Sequence, residues 1–133
     1  MLTIYTSNHY NGLKSIDATY VFPENSISPW EQLEWMDKHL KEFQTENISI
    51  KTFSPYILNY INLLITKGEL NDNNLNAVEY YWDEETNEIT KFDIKVYKEN
   101  TNNLILIDTR TLSDPINYIY TEYNKIKKEK EKR

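Results

Sequence analysis

A chain of 133 residues with 39% hydrophobic and 14% aromatic content is sized for one domain around one core. It has no cysteine, which excludes disulfides, thiol nucleophiles and thiolate metal sites, and its histidines, His9 and His39, lack metal-ligand spacing. The net charge is −6, and because the segment from Lys125 onward, KIKKEKEKR, holds six basic and two acidic residues, that +4 leaves −10 elsewhere, a balance against a body that grips nucleic acid.

In chain order, LTIYT at 2–6 reads as a strand, followed by the loop SNHYNG, and ATYVF at 18–22 as a second strand. SPWE at 28–31 is a helix start, with Ser28 as N-cap, Pro29 at the first helical position and Glu31 closing a capping box. Leu33, Met36, Leu40 and Phe43 then recur on one face, with Trp30 and Trp35 flanking and His39 placed on the polar flank. ISIKTF at 48–53 alternates as a strand and runs into SPYI at 54–57, a second Ser-Pro start with Ser54 as the cap. Ile57, Leu58, Ile61, Leu64 and Ile65 form a wide apolar stripe, and Gly68 follows as a C-cap.

ELNDNN at 69–74 reads as a surface loop, and AVEYYW at 77–82, the turn DEETN and EITKFDIKVY at 88–97 read as an antiparallel hairpin. The acids of its tip lack calcium-loop spacing and read as solvated. NLILI at 103–107 is a further short strand, and Asp93 and Asp108 beside these strands are expected to be structural. SDPI at 113–116 offers Ser113 or Asp114 as cap and Pro115 in the first turn of a third helix, whose stripe Ile116, Ile119, Tyr120, Tyr123 and Ile126 is expected to be core. The domain is placed at 1–126 and a charged tail at 127–133.

Strand, helix, strand, helix, strand from 18 to 82 predicts right-handed crossovers, hence an α/β fold with a mixed, mainly parallel sheet, flanking helices, a C-terminal antiparallel hairpin and a helix. No apolar run reaches membrane-span length and the N-terminus lacks a signal-peptide pattern, so the expected location is cytoplasmic, without membrane contact. Neither a metal nor another cofactor is expected, because no motif supplies ligands, and Ser54 has no nucleophile elbow around it.

In such sheets, sites collect where strands enter helices, here at VFPENSISP (21–29) and KTFSP (51–55). Taken together these loops resemble the C-terminal half of ATPases of the ATP-binding-cassette type, especially the RecF-like and overcoming-lysogenization-defect-like AAA proteins. Pro23 and Glu24 match the end of that family's Asp-Glu-Pro-Glu motif, and TFSPYILN, from Thr52 to Asn59, matches its Thr-His-Ser-Pro switch loop and the helix after it. The resemblance implies a P-loop-ATPase-like half domain. It also marks Val21 where the magnesium-binding Asp belongs, Phe22 at the catalytic Glu and Phe53 at the switch His, with Glu24 and Ser54 retained.

None of the three replacements binds a metal, activates water or donates to a phosphate, and the phosphate-binding loop is missing. The expectation is therefore a pseudo-ATPase with no catalytic residue and no ATP dependence, acting as a protein-interaction or regulatory subunit or by self-association. Tyr56 and Tyr60, one turn apart, and Trp30 are the candidate interaction surface. Two other classes stay open: a split ATPase half completing a composite site with a partner chain, and a nucleic-acid-associated accessory protein using the basic tail.

Overall fold

A computed structural model describes residues 1–94, 96–98, 105–107 and 110–132, with side chains described for 1–94, 115 and 117–132. In chain order it contains β1 (Leu2–Ser7), α1 (Tyr10–Leu13), β2 (Tyr20–Val21), α2 (Pro29–Thr45), β3 (Ile48–Lys51), α3 (Pro55–Thr66), β4 (Leu75–Trp82), β5 (Ile89–Asp93), β6 (Val96–Lys98), β7 (Ile105–Ile107) and α4 (Arg110–Glu131). The main sheet has the order β2-β3-β1-β4-β5; its first four strands are parallel and β5 is antiparallel to β4. The fold is the expected α/β arrangement, with β1 lying between β3 and β4.

Strand side chains alternate between faces, so register decides what each face holds. Ile4 is paired with Ile50 on one side and with Ala77 on the other, and all three are buried. Leu2, Ile48 and Leu75 form the next row of this face. Over it lie α2, through Met36 and Phe43, and α3, through Ile57, Leu58, Ile61, Leu64 and Ile65, as one apolar cluster. The opposite face carries Tyr5, Lys51 and Val78 and is met by the 8–19 segment. There Gly12 sits so close to Ser7 and the Tyr80 carbonyl that an added Cβ would lie 2.8 Å from the Ser7 Cβ and 2.8 Å from that carbonyl oxygen.

The helix starts at Ser28 and Ser54 are where the residues place them, and the Ser28–Glu31 box is formed in both directions. Gly68 follows α3 with φ +79°, and the Gly68 and Glu69 amides donate back to Ile65 and Leu64, closing a Schellman turn. The 69–74 loop holds one 3-10 turn, Asp72–Asn74.

Three expectations need correction. The hairpin's second strand does not run through 88–97: β5 spans Ile89–Asp93, and the buried Ile94 donates its amide to the Ala77 carbonyl one step past the Val78–Asp93 pair. The chain then builds a separate antiparallel pair, β6 with β7, and β7 packs against α3. The third helix begins at Arg110, so Pro115 lies inside it and not in the first turn. At that position the proline lacks the amide for one intrahelical bond, and its ring crowds the carbonyl four residues before it.

The third correction concerns the stripe of α4. Ile119, Tyr120, Tyr123 and Ile126 are between 52% and 63% exposed, so they are not core. Apolar periodicity specifies a helix face without specifying what covers it. The side chains of Ser113, Asp114 and Ile116 and all of Asp108 lie outside the described residues.

The two glycines differ in what they require. Gly12→Ala is expected to lower unfolding free energy by about 1–3 kcal/mol, because backbone and a Cβ must give way. Gly68→Ala has open space and meets only the left-handed backbone penalty, about 1–2 kcal/mol. Urea melts reading the midpoint at unchanged slope check both.

Candidate functional site at the carboxyl edge of the sheet

The connection leaving β1 crosses one face of the sheet, through α1, while those leaving β2 and β3 cross the other, through α2 and α3. Between β1 and β3 the loops therefore part, which is where open parallel sheets form their crevices. A cleft of about 200 Å³ opens at this edge, lined by Tyr10, Leu13, Lys14, Val21, Glu24, Lys51 and Phe53.

The five motif positions separate according to strand alternation. Val21 shares its row with Lys51 and Tyr5, stands 69% exposed and lines the cleft. Phe22, one residue on, turns to the helix face, is 2% exposed and meets Trp35 edge-on at 4.9 Å. Phe53 returns to the cleft wall beside Glu24 and Lys51. The positions marked by the resemblance thus do not converge: Val21 and Phe53 share the cleft, and Phe22 belongs to the core.

Polar side chains behind the cleft tie its two loops together. The Phe53 amide donates to Glu24 Oε1 at 2.8 Å, while Glu24 Oε2 is buried without a hydrogen-bond partner. Ser54 does not cap α3 with its side chain; its hydroxyl donates to Gln32 Oε1, and its amide donates to Thr52 Oγ1 at 2.9 Å. Gln32 Nε2 reaches the Glu24 carbonyl at 3.4 Å. Gln32, buried in the first turn of α2, was not among the sequence candidates. Its only sequence signal is a polar residue one turn before Met36, on the apolar face.

The Lys51 ammonium donates to the carbonyls of Leu13 and Ile16, at 3.3 and 2.9 Å, and so holds the segment after α1 against the sheet. Asn8 pairs its side-chain amide with the backbone of Trp82 in both directions, at 2.8 and 3.0 Å, and His9 stacks on the Trp82 ring at 4.2 Å. His39 is not on a polar flank: it packs on Trp35 at 4.3 Å and bonds Glu42 at 2.9 Å. The Glu42 carboxyl is held below its usual value, first by the hydrogen bond from Tyr20 and then by that from His39. Among the described residues no group of three or more His, Asp or Glu could hold a metal ion.

Of the proposed interaction residues, Trp30 and Tyr56 are exposed, each one residue after the proline that opens its helix. Tyr60 is half-buried and donates its hydroxyl to Asp37 at 2.6 Å, linking α3 to α2. That bond, with burial second, pushes the Tyr60 pKa from 10.0 up to about 12.

A tyrosine with a raised folded pKa contributes stability fully present below its unfolded value and lost as pH rises through the folded one. Wild type is therefore expected to lose stability between pH 10 and about 12 through this residue, and Tyr60→Phe to lose that part of the dependence, read by melts across the range. Gln32→Ala strands the buried Ser54 hydroxyl and is expected to cost about 1–3 kcal/mol. Adding Ser54→Ala is expected to cost less than the sum of the single changes, because the unmet groups are then both gone; a double-mutant cycle measures this.

The chain matches no family model, no curated protein and no solved structure.

Proposed function

We propose that the chain is a non-catalytic domain of ATPase-like build that binds another protein at the carboxyl edge of its sheet. One observation carries this: Tyr10, Val21, Trp30, Phe53 and Tyr56 are all large, exposed and apolar, and all belong to the strand end, loop or first helical turns at that edge. Large apolar side chains gathered at one site, Trp and Tyr among them, supply the anchors of protein interfaces. Behind them the Glu24–Phe53 and Gln32–Ser54 bonds connect the two loops, so a partner would meet a surface already in shape and spend little on ordering it. The resemblance adds that these loops stand where the ATPases they resemble handle metal and γ-phosphate, with Val21, Phe22 and Phe53 here able to do neither.

Titration with ATP and magnesium is expected to leave the melting temperature unchanged. A clear rise would sink the non-catalytic assignment and favour a split ATPase half. Affinity capture from the source cells, followed by mass spectrometry, is expected to enrich a partner with the wild-type chain and to lose it with Trp30→Ser plus Phe53→Ser. Both side chains are exposed, so the fold should survive; equal capture by both chains would count against this edge as the docking surface.

A further inference from the structure

The exposed face of α4 shares no residue with the carboxyl-edge surface and is unrelated to the function proposed there. Ile119, Tyr120, Tyr123 and Ile126 fall at spacings of one, three and three residues, a stripe along a single helix face, and all are exposed. From Asn117 to Lys132 only Glu122 is even partly covered. Ile119, Tyr123 and Ile126 follow the 4-3 rhythm of a coiled-coil seam, with Tyr120 flanking it. At 22 residues the helix is about 33 Å long, enough for three heptads.

We propose that this face is covered by the same face of a second copy, the two α4 helices running antiparallel about a two-fold axis. Charge selects both the occupant and the direction. The segment from Lys125 onward carries +4 and the remainder of the chain −10. A parallel pair would set two +4 ends side by side. An antiparallel pair separates them and carries each basic end toward the other copy, whose residues before Lys125 sum to −10.

A two-fold axis at residue 121, close to the middle of the helix, sets Ile119 of one copy opposite Tyr123 of the other, and the reverse, as an isologous interface requires. The bodies lie at opposite ends of the helix pair. The same −10 argues against an anionic bilayer as the cover, since the body would be repelled from it.

Sedimentation of the full chain across a concentration series is expected to move from 16.0 kDa to twice that mass. Ile119→Glu with Ile126→Glu is expected to weaken the association by about 100-fold or more, each change acting twice in a symmetric pair. The melting of the body should not change, because both side chains are exposed.

Because the chain has no cysteine, direction can be read covalently. Oxidising a mixture of Ile119→Cys and Tyr123→Cys chains is expected to give mainly the mixed disulfide, whereas a parallel pair would give each variant linked to itself. A monomer at every concentration, an association indifferent to the double Glu change, self-linked products only, or a monomer that binds phosphatidylserine vesicles would each overturn the proposal. None of these outcomes depends on ATP or on the carboxyl-edge partner, so failure here is distinct from failure there.

Discussion

Strand β1 is paired in parallel on both sides, with β3 and with β4, and that pairing constrains nearly everything else in the molecule. It aligns Ile4 with Ile50 and Ala77, and a shift of one residue would turn all three away from α2 and α3. The same register commits Tyr5, Lys51 and Val78 to the opposite face. The 8–19 segment covers that face, held by Lys51 on two carbonyls and by Gly12 pressed against Ser7. Since this segment leaves β1 on one face and α3 leaves β3 on the other, a cleft at their carboxyl ends is a consequence of topology.

The carboxyl edge differs from the rest of the core in being polar. Thr6, Ser7, Thr52, Ser54, Gln32 and Glu79 are all buried, whereas the opposite end of the sheet is filled by Leu2, Ile48 and Leu70. Buried hydroxyls and amides are costly unless paired, and the pairs found here join segments far apart in the chain: Phe53 to Glu24, Ser54 to Gln32, Ser7 to Tyr80. Such pairs specify loop geometry, which apolar packing alone does poorly. Outside this polar layer the surface turns apolar again, at Val21, Phe53, Trp30 and Tyr56.

Helix starts were legible because a cap is a local contract: Ser28 and Glu31 satisfy each other within one turn. The role of Ser54 was not, because its hydroxyl found Gln32, 22 residues earlier in the chain, instead of an amide of its own helix. His39 was misplaced for a similar reason. Its neighbour Trp35 lies one turn away, but the Tyr20 ring that completes the cluster comes from β2. Within the candidate site, the split between Val21 and Phe22 was available from period-two alternation alone, although the motif resemblance grouped them with Phe53 at one edge.

By itself the sequence determined the α/β class, the starts of α2 and α3, the Gly68 turn, the β4–β5 hairpin and the apolar faces. Each of these follows from contacts within a few residues or from a repeat along the chain. Only the tertiary structure decided that β1 is central, that β5 stops at Asp93, that Phe22 is core while Val21 is surface, and that the stripe of α4 is left open. These are questions of which surface meets which. Periodicity marks an apolar face, and only long-range packing says whether it is buried and against what.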